Sequence, residues 1–463
     1  MNRRALGFEG WRELIGADPH TARERARDAA LESAADLGAF LSVAEPGSSL
    51  PPPRQARGMK GMPFAVKDNI DTSSLATTGG SAVLDGSLPR ADAGVVRSLL
   101  DAGAWLVGKT NLHELALGVT SENGAFGDVR NPYDAGRSAG GSSGGSAVAV
   151  AVGAAAFSLG TDTGGSMTIP AACCSVVGYR PTRGRYPVDG FLSISWTRDS
   201  IGVMATSVAD VITVDAAVTG RSPSRTRRRR GPLRLGVPQN RLSDLDDDVA
   251  DVVDDAFSRL EGSGFVELHE VSTASLDARA FEHGFTVVAF EAPRTAEAYL
   301  SELRSPYNDL DLAALASGAR SGDVKALLGH ILAHPIGRDR YRRARDARDA
   351  VQADHWRVTS PRQLDALLYP TIPSRPPLLG EGTVMTHRNR TVETFPTLTR
   401  HTEAGAFAGN PSISLPAGCD RGGLPVGLTL EGLRGADDRL LEIAAMAESA
   451  LAGAEMPVLT GER

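Results

Sequence analysis

Two serine–glycine clusters flank a single apolar run. "SAGGSSGGSA" spans Ser138–Ala147, "VAVAVGAAAFSL" follows it, and "GTDTGGSMTIP" spans Gly160–Pro170. Glycine costs backbone entropy on folding, so it needs a reason. One reading is a flexible linker. The other is a pair of backbone loops brought together to hold serine hydroxyls. In "DTGGS" the successive small residues let N–H groups turn toward one point, a nest suited to an oxyanion, with Ser166 at its end. A serine nucleophile needs a base. None of the nine histidines has the local context of one, and His113 in "NLHELALG" reads as a packed helix residue. Lysine is the alternative. The chain has four lysines, Lys60, Lys67, Lys109 and Lys325, against 45 arginines. A lysine can lose its proton where an arginine cannot. Lys67 follows "PFAV" on what reads as a buried strand. Burial favours the neutral amine and predicts an apparent pKa of roughly 7.5 to 8.5. A hydroxyl of the first cluster would then relay the proton between Lys67 and Ser166, a Ser–Ser–Lys arrangement.

The elements that must position these groups are legible in the periodicity. Residues 5–45 carry an apolar stripe at helical spacing, broken by "EPGSSLPPPRQARG". From "GMPFAVKDNID" to about Gly220, short apolar strands alternate with helical runs: "PFAVKD", "GVVRSLLDAG", "AWLVGKT", "AFSLGTD". That alternation predicts βαβ units and a largely parallel sheet. "GRSPSRTRRRRGP" reads as a solvated linker, and "LRLGVP" as a new strand. Residues 245–356 are mostly helical and charged. Strand texture returns in "LDALLYPTIP" and "GLPVGLTLEG", and the helix "ADDRLLEIAAMAESAL" follows. The predicted organisation is a helical segment at 1–54, a core at 55–220, an Arg-rich linker at 221–235, a helical substrate-pocket region at 236–356, and the second part of the core at 357–463. Together they make one composite α/β domain.

Other chemistries fit poorly. "GAWLVGKT" (Gly103–Thr110) matches a phosphate-loop pattern, but its central Ala-Trp-Leu-Val reads as the strand itself. "GGSSGGS" contains G-x-S-x-G centred on Ser142 and on Ser143, yet a turn-rich segment precedes it where a nucleophile elbow needs a strand. No HExxH or CxxC spacing marks a metal site, and no cofactor is expected. The net charge of −7 argues against nucleic acid as partner. The apolar runs fall short of a membrane span. Cys173, Cys174 and Cys419 suit a reducing, cytoplasmic setting.

Five stretches together resemble the amidase signature family: "GMPFAVKDNID", "GKTNLHELALG", "RNPYDAGRSAGGSSGGSA", "GTDTGGSMTIPAACCSVVGYRPT" and "NPSISLPAGCDRGGLPVGLTLEG". The resemblance covers about residues 55–215 and 360–452. "NGAFGDVRNPYDAGRSAGG" and "RYPVDGFLSISWTRDSIG" look most like its indoleacetamide hydrolase and mandelamide hydrolase branch. The resemblance implies a large mixed, mostly parallel twisted sheet with helices on both faces. It makes Ser166 the nucleophile and Lys67 the base. The relay serine lies 24 residues before the nucleophile, which selects Ser142 and a cis peptide from Gly141. The implied oxyanion hole is the backbone N–H groups of Thr163, Gly164, Gly165 and Ser166, with Gly141, Ser143 and Asp162 in support.

Two positions depart from the family pattern. Thr168 stands where an arginine follows the nucleophile by two residues, and "GVMATS", with Val203 and Thr206, stands where the family reads "GPMARS". Buried acids, Asp162 among them, are expected to lose their countercharge. The implied activity is hydrolysis of a small, aryl-acetamide-like carboxamide to carboxylate and ammonia through an acyl-enzyme. Other readings are an amidase of specialised metabolism and a glutamine-amidase subunit of a transamidosome-type complex. A homodimer is compatible with either.

Overall fold

A computed structural model describes residues 5–45, 58–221, 231–360 and 363–460. Among the described residues there are thirteen strands, eleven of which form one sheet. In chain order the strands are β1 (Phe40–Val43), β2 (Pro63–Lys67), β3 (Trp105–Thr110), β4 (Phe157–Asp162), β5 (Val177–Arg180), β6 (Ser200–Ala205), β7 (Leu233–Pro238), β8 (Val266–Val271), β9 (Ala366–Pro370), β10 (Val384–His387), β11 (Arg390–Glu393), β12 (Ser412–Cys419) and β13 (Pro425–Glu431). Their order across the sheet is β1-β3-β2-β4-β6-β5-β12-β13-β9-β7-β8, while β10 and β11 pair as a separate hairpin.

The sheet is mixed. Parallel pairing joins β3–β2–β4 on one flank and β9–β7–β8 on the other. Antiparallel strands β6, β5, β12 and β13 lie between them, and β1 closes one edge antiparallel to β3. The βα alternation read between residues 61 and 220 announces the β3–β2–β4 flank, whereas β8 of the other flank lies in the region read as mostly helical. Within the antiparallel centre the β5–β12 pairing, Tyr179 with Ile413, joins segments more than 200 residues apart, and no local pattern encodes that.

Every residue of β2, β3, β4, β5, β6, β9 and β13 is buried, so both faces of the central sheet are covered. Phe64 on β2 stacks on Phe157 of β4 with ring centroids 5.4 Å apart, and Phe8 of the first helix closes on Phe157 at 5.8 Å. The N-terminal segment is two helices, Phe8–Ala17 and Pro19–Leu37, plus strand β1. Asp18 caps the second of these by accepting from His20 N at 2.9 Å, and Pro19 at its first position gives up no needed donor.

The 236–356 region holds the 29-residue helix Ala274–Glu302 and the helix Arg338–Thr359, which pack on each other and on the helix Glu403–Ala408. It also supplies β8, and β7 straddles its start, so part of it is sheet. Of the Arg-rich linker, residues 222–230 lie outside the described residues.

Candidate active site

β2 and β4 run parallel and adjacent, with Val66 opposite Leu159. Their carboxyl ends therefore present Lys67 and Asp162 at the same edge of the sheet. Lys67 is fully buried. Its Nζ lies 2.8 Å from Ser142 Oγ and 2.9 Å from Thr161 Oγ1. Asn69 Nδ2 donates to the same Thr161 oxygen at 3.1 Å. Burial lowers the Lys67 amine from the usual lysine range to about 7, against the opposing charges of Asp162 and Asp199.

The Gly141–Ser142 peptide is cis. The carbonyl of Ser142 accepts from His113 N at 3.2 Å and from Ser121 Oγ at 3.3 Å, which leaves its side chain to face Lys67. Ser143 turns the other way and donates its hydroxyl to Thr161 O at 3.1 Å. The helix Gly144–Ala151 starts directly after them and is buried at every residue. A Cβ on Gly145 would lie 2.4 Å from Asn111 O and 2.5 Å from Ala39 O, so this cluster needs glycine for close backbone approach rather than flexibility.

Ser166 follows β4 on the second cluster. Relative exposure rises from 0% at Lys67 to 1% at Ser142 and 7% at Ser166, so Ser166 is the most accessible of the three. Asp162 organises the turn: its Oδ1 accepts from Gly165 N at 2.9 Å and its Oδ2 from Met167 N at 2.8 Å. The Gly165 N–H, expected among the oxyanion donors, is thus engaged by Asp162. The N–H groups of Thr163, Gly164 and Ser166 have no backbone acceptor among the described residues. Gly165 has φ +126°, and a Cβ there would lie 2.4 Å from Thr402 Oγ1.

The countercharge of Asp162 is present after all. Arg180 on β5, itself fully buried, places Nε 3.0 Å from Asp162 Oδ1. The expectation that the arginine-free positions leave Asp162 uncompensated is therefore corrected: a neighbouring strand supplies the cation that the local sequence lacks. Thr168 donates to Gly165 O at 3.3 Å, Thr206 donates to Asp210 Oδ2 at 2.9 Å, and Val203 is buried on β6.

Residues that touch this constellation but were not singled out from the sequence include Thr161 and Asn69 beside Lys67, Ser121 beside Ser142, Arg180 beside Asp162, Asp199 beside Thr163, and Arg198 and Thr402 behind the nest. Thr161 directly precedes Asp162 in the second cluster, and Asn69, Arg180, Arg198 and Asp199 lie inside the stretches that carry the family resemblance. Lys109, the lysine of the phosphate-loop pattern, lies inside β3 and pairs with Asp68 at 3.1 Å. That is a strand lysine with a carboxylate partner, and it heads no phosphate-binding helix.

Among the described residues, no helix is long and apolar enough to cross a membrane. The sequence profile of the Amidase family matches residues 27–441. An indoleacetamide hydrolase of Agrobacterium vitis is 36% identical over 399 residues, covering 85% of this chain and 84% of that protein. A mandelamide hydrolase of Pseudomonas putida is 36% identical over 418 residues, covering 87% of this chain and 80% of that protein. The solved structure of a peptide amidase from Stenotrophomonas maltophilia superposes with a TM-score of 0.79 at 29% identity, over 98% of this chain and 99% of that one. With the buried lysine and the two serine loops in place on that fold, the chain belongs to the amidase family and is an amidohydrolase.

Proposed function

We propose that the enzyme hydrolyses small aryl-acetamide-type carboxamides, R–CO–NH₂ + H₂O giving R–COO⁻ + NH₃, through a Ser166 acyl-enzyme. The observation that carries this reading is the 2.8 Å approach of Lys67 Nζ to Ser142 Oγ in a wholly buried setting. Neutral Lys67 takes the Ser142 hydroxyl proton as Ser142 takes that of Ser166, and Ser166 Oγ adds to the amide carbon. The carbonyl electron pair moves to oxygen. The N–H groups of Thr163, Gly164 and Ser166 are the donors left to receive it. Collapse expels the amine, which regains a proton from Lys67 through Ser142. Water then adds to the acyl-enzyme by the same relay and releases Ser166.

The aryl preference draws on the indoleacetamide and mandelamide hydrolases among its relatives and on one helix face. Residues 281, 284, 285 and 288 share a face of the helix Ala274–Glu302. Gly284 abuts Glu403 and Arg198 behind the nest, and Val288 packs against the Leu112, Ala116 and Ile194 cluster. On the same face Phe281, one turn before Gly284, and Phe285, beside the His330 ring at 6.1 Å, are 38% and 44% exposed, which suits a wall for an aromatic ring. We place the enzyme in the cytoplasm, consistent with its three free cysteines. The test is ammonia release from phenylacetamide, indoleacetamide, mandelamide, acetamide and glutamine. Aryl-acetamides should be turned over well ahead of the last two, and equal rates for acetamide and phenylacetamide would sink the substrate reading.

A further inference from the structure

In the turn from β4 into the helix Thr168–Cys173, the carbonyls of Thr163, Gly164 and Gly165 are each held. Arg198 donates to Thr163 O from Nη2 at 2.9 Å and from Nε at 3.2 Å. Thr402 Oγ1 donates to Gly164 O at 2.7 Å. Ile169 N donates to Gly165 O at 2.8 Å. In a trans peptide the carbonyl and the following N–H point in opposite directions. Holding Thr163 O from behind therefore aims the Gly164 N–H to the front of the turn, and holding Gly165 O aims the Ser166 N–H. Of these three donors only Arg198 is charged.

Arg198 has little freedom to leave. It is 2% exposed, and its Nη2 also donates to Glu403 Oε2 at 2.7 Å. Glu403 is wedged in turn: a Cβ on Gly164 would lie 3.1 Å from its Oε2, and one on Gly284 would lie 2.0 Å from its Oε1. The helix Ala274–Glu302 thus clamps the ion pair against the back of the nest through a glycine. We propose that Arg198 is a positioning residue for the oxyanion, fixing and polarising the Thr163–Gly164 peptide so that the Gly164 N–H is a strengthened donor. A charge-assisted bond to the carbonyl is stronger than a neutral one, and polarisation passes along the peptide to its N–H. As charge develops on the substrate oxygen the bond tightens, so the contribution falls in the transition state rather than in substrate binding. The inference rests on the reading of the nest as the oxyanion site.

The experiment compares wild type with Arg198→Lys, which keeps the charge beside Glu403 but loses the two-pronged contact. The double variant Arg198→Gln/Glu403→Gln removes both charges together and so avoids an orphaned carboxylate. Each is checked for folding by circular dichroism. The substrate is the panel carboxamide that wild type hydrolyses fastest, and the probes are the aldehyde and the alcohol of the same carbon skeleton. The aldehyde adds Ser166 to form an oxyanion, and the alcohol does not. Both variants should lose roughly 10- to 100-fold in kcat with KM little changed. Aldehyde affinity should fall by a similar factor, while alcohol affinity and the pH midpoint stay put. Folded variants with wild-type kcat, or a kcat loss without a matching loss of aldehyde affinity, would overturn the proposal. Retained turnover in Ser166→Ala would instead refute the serine reading itself, whatever Arg198 does.

Discussion

Lys67 and Lys109 stand on adjacent parallel strands, both fully buried, and only Lys109 has a carboxylate beside it. Lys109 pairs in register with Val66 and Thr110 with Lys67, so a one-residue offset sends the two amines to opposite faces of the sheet. Lys109 Nζ lies 3.1 Å from Asp68 Oδ1 and also donates to Thr77 Oγ1 at 2.7 Å. Lys67 Nζ meets two hydroxyls instead. Burial lowers both amines, and Asp68 pulls Lys109 back toward its charged form. The lysine left without a close anion is the one that can serve as a base.

Activity should rise with pH through about 7 and level off above it, because Lys67 must be neutral to accept a proton and burial brings it to about 7. The strand sequence alone pointed in the same direction, to roughly 7.5 to 8.5, and every residue of β2 is buried. A midpoint of about 7 overlaps the histidine range, so the profile is to be measured beside Lys67→Arg. Arginine keeps the charge and cannot release it under these conditions. The folded arginine variant should fall to background ammonia release. Substantial turnover in it would remove Lys67 as the base.

The same shift predicts a stability signature. Unfolded lysine titrates near 10.4, and folded Lys67 near 7. Between these values the unfolded chain binds more protons, so this group makes the protein more stable as pH rises, by up to about 1.4 kcal/mol per pH unit. Below the folded value both states are protonated and the slope vanishes. Urea unfolding of wild type and Lys67→Met at pH 7, 8 and 9 should show wild type gaining stability relative to the variant. A constant difference across that range would contradict it.

Ser142→Ala should leave only a trace of activity, because it removes the hydroxyl 2.8 Å from Lys67 Nζ. Ser143→Ala should stay near wild type in rate and lose about 1 kcal/mol of stability, the worth of one buried hydrogen bond to Thr161 O. Initial rates and denaturant midpoints separate the two. The reverse pattern would exchange their roles.

Phe285→Ala should lower kcat/KM for phenylacetamide about tenfold and leave acetamide hydrolysis unchanged, since loss of part of an apolar wall forfeits about 1.5 kcal/mol. Equal effects on the two substrates would assign Phe285 to structure alone.

Much of the frame was legible in the residues themselves. "PFAVK", "WLVGKT" and "FSLGTD" are strands because apolar, β-branched and aromatic residues bounded by turn formers have few other uses. Lys67 and Ser166 stood out by type and context, one as a rare lysine on a buried strand, the other at the end of a glycine turn. These are local properties. Residue type alone does not choose between neighbours: the family resemblance selects Ser142 by its spacing, and the fold supplies the physical reason. Ser142 and Ser143 are adjacent and chemically identical, and backbone direction alone sends one to Lys67 and the other to Thr161 O. Partners needed the fold. Asp162 draws its cation from β5, Thr163 O meets Arg198 at a separation of 35 residues, and Gly164 O meets Thr402 across 238. A sequence displays what a side chain can do. What faces it depends on which distant strand the sheet brings alongside, and chain connectivity and packing decide that.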